Sequence, residues 1–267
     1  AALKRLRAET SDGYFLEKIM GQIAPPQGVI FGTYRPDVHV REVLYDPAEP
    51  VHVSHDPGYG HANAIVVWQV AKGGQIRVFD ALYERAVGTA DLIDIAMRRE
   101  WWKNPVKRLV VDPNYVDQHH SGPSMSDIWR EKTGLEPRGV RTKVDENIER
   151  LRGFLKVDAI TGEPGIVFSG ALAADGKPVL WGLRAEFGEL PNPFDGLIHA
   201  YSNKLDSRGV VIGPDPRWND ALSAFMYGIV ERFGLADTGA VTEYLVTTFG
   251  PQESARRRRD RRMLSAR

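Results

Sequence analysis

Residues 51–85 carry three apolar runs in close succession, "VHVSHD", "NAIVVWQVA" and "QIRVFDALY", separated by a Gly-containing stretch after Asp56 and by "KGG". Val, Ile, Phe, Tyr and Trp at this density suit the pleated surface of a sheet. Turns this short bring neighbouring strands together antiparallel, so the segment is expected to be a meander.

Helical and strand patterns then alternate. "TADLIDIAMRREWWK" has Leu92, Ile93, Ile95, Ala96 and Trp102 close to helical spacing, with Thr89 and Asp91 as cap candidates. "VKRLVVDPNY" is a short apolar strand ending at Asp112, and "SMSDIWREKTG" a helix capped by Ser124 or Ser126 and stopped at Gly134. "EPRGVRTKV" is expected to be an edge strand, and "DENIERLRGFLKV" an amphipathic helix burying Ile148, Leu151 and Leu155. "GIVFSG" and "PVLWGLRAEF" are further expected strands around the turn "AADGKP", and "NDALSAFMYGIVERFG" is a helix burying Ala221, Leu222, Phe225, Met226 and Ile229. Such alternation calls for a sheet with crossover connections, the α/β class. The segment before residue 45 shows only a short helix around "YFLEKIMGQI" beside "APPQG" and "YRPD", the texture of an arm or linker.

With 267 residues, 42% of them hydrophobic, the chain can bury a substantial core. Its 35 basic residues balance 35 acidic ones, so net charge supplies no attraction to nucleic acid or membrane, and any such affinity must be local. Cys is absent, which removes disulfides and thiolate metal sites and leaves carboxylates and His as ligands. No apolar run approaches the roughly 20 residues that span a bilayer, and the N-terminal stretch lacks a signal-peptide layout, so a cytoplasmic protein without membrane partners is expected.

Three aspartates occupy related positions: Asp56 at the end of the first strand, Asp112 at the end of "RLVV", and Asp220 at the start of the late helix. Sites in open sheets form beyond strand ends, where residues distant in sequence converge. Clustered carboxylates repel, so such a set makes physical sense as a metal site or a proton-sharing pair. All-oxygen ligands favour Mg²⁺ or Mn²⁺, and two such ions about 3.5–4 Å apart suit in-line displacement at a phosphodiester. Each aspartate alone is equally explained as a turn residue before Pro or a helix N-cap, and only the joint pattern points to function.

That joint pattern resembles the nuclease domain of the large terminase subunit of tailed bacteriophages. "HVSHDPGYGHANAIVVWQV", "RLVVDPNY", "TKVDENIERLRGFLK" and "WNDALSAFMYGIV" follow the family's order over roughly residues 15 to 232, and "GVIFGTYRPDVHV" is similar to the lead-in from the motor domain. The resemblance implies an RNase H-like mixed central sheet flanked by helices. It also implies metal-dependent cleavage of double-stranded viral DNA during packaging in the cytoplasm of an infected bacterium. Asp56, Asp112 and Asp220 match the family's three acids and would be the catalytic metal ligands, for about two Mg²⁺ or Mn²⁺ ions. The implied partners are double-stranded DNA, an ATPase motor domain of the same protein, the portal and the small terminase subunit.

On this resemblance residues 1–45 are an arm leading from a motor domain, 46–250 the nuclease domain and 251–267 a basic tail. The nearest approach to a phosphate loop, "GALAADGKP", has one residue too many between its glycines and Pro178 where Ser or Thr is needed. Where many members have His before the final Asp, this chain has Arg217, a candidate phosphate contact. Arg141 and Lys143 on the expected edge strand are further candidates for DNA, although edge strands carry basic residues against aggregation as well. Asp80, Glu84, Asp117, His61, His119 and His120 are expected mainly in solvent. The tail "RRRRDRR" suits DNA or an acidic partner, and the resemblance allows a portal-binding tail. A RuvC-like resolvase or transposase-type nuclease, or a non-catalytic DNA- or portal-binding module, are the alternative readings.

Overall fold

The computed structural model describes residues 28–58, 62–116, 122–170, 198, 201–215 and 219–234. The meander is present as expected: strands β2 (Val51–Asp56), β3 (Ala62–Val70) and β4 (Ile76–Arg85) pair antiparallel in sequence order. Three more strands extend it. β5 (Val106–Val111) runs parallel to β2, β6 (Ile166–Ser169) parallel to β4, and the short β1 (Val40–Arg41), which follows helix α1 (Pro36–His39), parallel to β6. The result is a six-stranded mixed sheet in the order β1-β6-β4-β3-β2-β5, flanked by helices.

Strand alternation divides the core between the two faces. One face buries Val51, Val53, Ile65, Val67 and Leu82 against helices α2 (Thr89–Met97) and α3 (Met125–Thr133). The other buries Ala64, Val66, Trp68, Val78 and Tyr83 against α4 (Val144–Leu155) and α5 (Asp220–Phe233). Each fully buried large side chain, such as Trp68 or Phe225, contributes on the order of 1.5–3 kcal/mol. Ile30, Phe31 and Tyr34 join this second core, so the described part of the expected arm packs on the domain. A small hairpin of β7 (Asn203–Leu205) and β8 (Val211–Pro214) precedes α5.

Local chemistry accounts for several boundaries. Ser124 closes a capping box with Asp127 at the start of α3, and Gly134, at φ 75°, ends it in the left-handed conformation. Helix α2 departs from expectation: its N-cap is Gly88, which has no side chain to cap with, while Thr89 and Asp91 lie within the first turn and Thr89 accepts from Asn63 at 3.4 Å. The helix is also shorter than expected, its end replaced by a 3₁₀ turn at Glu100–Lys103.

The expected edge strand at "EPRGVRTKV" does not form. Only Arg138 pairs with β5, through bonds of its N–H to Leu109 and its carbonyl to Val111. Pro137 has no N–H to extend the ladder, and Gly139 lies against Pro113, where the chain turns away. Arg141 and Lys143 therefore lie in the approach to α4, with Lys143 as its N-cap residue. The expected helix around "YFLEKIMGQI", the strand "PVLWGLRAEF" and the basic tail lie outside the described residues. Among the described residues no helix is long and apolar enough to cross a membrane.

Candidate active site

Asp56, Asp112 and Asp220 reach one region on the α5 side of the sheet. In β2 the alternation that buries Val51, Val53 and His55 toward α2 and α3 sends Ser54 and Asp56 the other way. Asp56 is in register with Ala64 and Ala64 with Tyr83, so Asp56 and Tyr83 lie in one row across three strands. Asp112 directly follows β5, its N–H donating to the His55 carbonyl at 3.0 Å, which sets it beside the end of β2. Asp220 is the first residue of α5, and the Tyr83 hydroxyl donates to its Oδ2 at 3.0 Å.

Helix α5 links these groups a second time. Tyr227 follows Asp220 by two helical turns and donates its phenol to the Asp112 carboxylate. The helix can lie this low because position 228 is glycine, facing Ser54 and the Trp68 ring. Asn114 completes the setting of Asp112, its backbone N–H reaching Oδ1 at 2.8 Å.

The electrostatics of this cluster are those of anions short of a cation. Burial, then the neighbouring Asp112 and Asp220, push the Asp56 carboxyl well above the usual range. Burial raises Asp112 as well, opposed by its bonds from Asn114 and Tyr227. The phenols of Tyr227 and Tyr115 are raised too, by burial and then by Asp112 and Asp56. Among the described residues, no group of three or more His, Asp or Glu side chains forms a ready-made metal cage. The donor set nevertheless fits a hard divalent ion in its chemistry: all oxygen, mutually repelling and partly desolvated.

Other sequence candidates fall elsewhere. Asp80, expected near the strand end and mainly in solvent, is instead buried within β4 on the opposite face, where Trp101 Nε1 donates to it at 2.7 Å and Arg99 lies at 3.7 Å. A bulge explains this: Val67 pairs with Asp80 and Trp68 with Val78, so Phe79 is an extra residue and both Phe79 and Asp80 turn toward α2. Glu84 is half-buried, raised by burial, and has one carboxylate oxygen without a hydrogen-bond partner among the described residues. Arg141 and Lys143 are exposed, with no ion pair among the described residues. Arg217, Asp117, His61, His119 and His120 lie outside the described residues.

Comparison with known structures gives the architecture a counterpart. The large terminase from a thermophilic bacteriophage, in complex with ATP-gamma-S, superposes with a TM-score of 0.54 at 17% identity, over 86% of this chain and 51% of that one. The P22 large terminase nuclease domain matches with a TM-score of 0.50 at 15% identity, over 76% of this chain and 91% of that domain. The chain has a terminase nuclease-like fold. It spans about half the length of the thermophilic phage's terminase. No family model matches the sequence, and no curated protein does.

In this terminase nuclease-like domain, two kinds of supporting residue escape sequence reasoning. Tyr83 looks like an ordinary core aromatic of its strand, whereas Tyr227 stands in the motif "WNDALSAFMYGIV", where its seven-residue spacing from Asp220, two turns on one helix face, gives the two a shared direction but no evident role. His55 is the other. It is fully buried beside Asp56, with Trp129 Nε1 donating to Nδ1 at 3.1 Å, so its Nε2–H donates to Asn63 Oδ1 at 2.8 Å. Asn63 in turn donates to the Val87 carbonyl at 3.1 Å. Burial holds the imidazole neutral, lowered to about 4. This network pins the end of β2 to β3, to α3 and to the segment entering α2.

Proposed function

We propose that this chain is the nuclease portion of a large terminase, a metal-dependent endonuclease that cuts double-stranded DNA during viral genome packaging in the host cytoplasm. The observation that carries this reading is the convergence of Asp56, Asp112 and Asp220 from β2, β5 and α5 into one electrostatically coupled cluster. The terminase nuclease-like fold supports it.

Asp56, Asp112 and Asp220 would hold Mg²⁺ or Mn²⁺, with two ions the natural complement for phosphodiester hydrolysis. Such ions supply activation of the attacking water and charge neutralisation at the leaving 3′-oxygen. The protein's own part is to gather the carboxylates, keep them partly desolvated, and present basic side chains to phosphate. Arg141 and Lys143, exposed in the approach to α4, are the proposed phosphate contacts, together with Arg217. An ATPase motor domain of the same protein, the portal and the small terminase subunit are the proposed partners.

Incubation of supercoiled plasmid with the protein and Mn²⁺ tests the reading, with Asp56→Ala and Asp220→Ala beside the wild type. Nicking and linearisation by the wild type, lost in both variants and in EDTA, are expected. Cleavage undiminished in the variants would overturn the site assignment. A wild type that binds DNA but neither takes up Mn²⁺ nor cuts would be a non-catalytic binding module.

A further inference from the structure

We propose that Tyr83 and Tyr227 are positioning residues that cross-brace two of the three carboxylates for metal binding, an inference that rests on the metal-dependent reading above. The bracing is reciprocal between sheet and helix. Tyr83 of β4 donates to Asp220 of α5, while Tyr227 of α5 donates to Asp112 at the end of β5. Neither hydroxyl is needed to fill space. Tyr83 is buried among apolar residues where a phenylalanine ring would pack equally well, so its hydroxyl is explained by the carboxylate it meets.

The third carboxylate is treated differently. Among the described residues, none donates a hydrogen bond to the Asp56 carboxylate. Asp112 and Asp220 thus have a preset orientation, and Asp56 carries no such brace. Carboxylates that ligate metals are themselves commonly oriented by hydrogen bonds, and loss of such a partner lowers metal affinity roughly 10- to 100-fold. A phenol suits the task because it donates one directional bond and brings no charge to compete with the cation. The same helix therefore carries one acid and aims another, and α5 docking sets both at once.

The test is Mn²⁺ titration, by calorimetry or by the loss of the free Mn²⁺ paramagnetic resonance signal, of the whole chain as wild type, Tyr83→Phe and Tyr227→Phe. Melting temperatures are measured in EDTA in parallel. Expected is a weakening of Mn²⁺ affinity by roughly 10-fold or more in each variant. Melting in EDTA falls by no more than about 2–4 °C, the shift for one hydrogen bond in a domain of this size. Phe variants that bind Mn²⁺ as tightly as the wild type would overturn the bracing role. Affinity lost only together with a much larger drop in EDTA melting would overturn it as well, in favour of a purely structural one. A wild type that binds no Mn²⁺ would defeat the metal-dependent reading itself, a result distinct from variants that match a binding wild type.

Discussion

Gly228 of α5 stands so close to Ser54 of β2 that a Cβ built on the glycine would overlap the Ser54 hydroxyl and lie 3.2 Å from the Trp68 ring. The Ser54 oxygen has little room to yield, because it accepts the Trp68 indole N–H at 3.0 Å. Gly228→Ala is therefore expected to lift α5 from the sheet. Urea unfolding should show a loss of about 1–3 kcal/mol, the usual range for overpacking a core. Mn²⁺ affinity should fall with it, since Asp220 and Tyr227 ride on the same helix.

Asp112→Ala should behave in plasmid cleavage as Asp56→Ala and Asp220→Ala do. All three aspartate variants are expected to lose at least roughly 100-fold in rate, more than removal of a merely orienting neighbour would cause. Their melting temperatures in EDTA should fall by no more than about 2–4 °C, because the repelling group each substitution removes offsets the hydrogen bonds lost with Asp112 and Asp220.

Arg141 and Lys143 act, on the proposed reading, through phosphate alone. The Arg141→Ala/Lys143→Ala double variant should weaken DNA binding about equally for every sequence tried. The slope of log affinity against log salt should become shallower by about 0.9 for each phosphate no longer neutralised. An unchanged slope in a filter-binding or anisotropy titration would remove both residues from the DNA surface.

Asp80 supplies a stability signal independent of the site. Its carboxyl is raised to about 6, by burial first, against the pull of Arg99 and bonds from Trp101 and the Ala81 backbone. A folded value above the unfolded one means that the protonated form is favoured in the fold. Its contribution is fully present below about pH 4 and is lost as pH rises through 6. Asp80→Asn keeps an acceptor for Trp101 without the charge but gives up the bond from the Ala81 N–H, which takes back part of the gain. It should gain stability relative to the wild type between pH 4 and 7 by up to about 3 kcal/mol, read from urea midpoints at each pH.

His55→Ala removes the imidazole that joins Trp129 to Asn63. Two buried polar groups are left without partners, next to a new cavity. A loss of about 3–5 kcal/mol in urea unfolding is expected. His55→Gln, which can still offer both an acceptor and a donor, should recover part of it.

Much of this fold is legible in the chain itself, for reasons that differ by element. The meander can be read because its strands are apolar almost without interruption, and α4 and α5 because their apolar spacing has a helical period. Asp56, Asp112 and Asp220 are accessible because each interrupts such a pattern at its end. The missing edge strand is only half legible: that Pro137 lacks an N–H is visible in the sequence, but the close approach of Gly139 to Pro113 is a tertiary contact that no local pattern reveals. The burial of Asp80 is hidden because a one-residue bulge reverses which face a side chain occupies, and nothing in "QIRVFDALY" marks where the extra residue falls. The Tyr83 phenol escapes notice because a hydroxyl at the end of a core ring looks like packing until a carboxylate is found opposite, and Tyr227 is visible only as a motif residue whose partner is not.

The order in which the three acids follow one another along the chain bears on how such an enzyme is made. Asp56 ends β2 and Asp112 directly follows β5, neighbours in the sheet, whereas Asp220 opens a helix that packs back across β2, β3 and β5 from the far end of the described fold. A ribosome-bound chain whose α5 has not yet emerged holds two of the acids, with neither Asp220 nor Tyr227 available. Long-range docking of this kind is a late event in folding. On the proposed reading, cutting power is acquired only when synthesis of the domain is essentially finished, so a stalled or truncated nascent chain is harmless to nearby DNA.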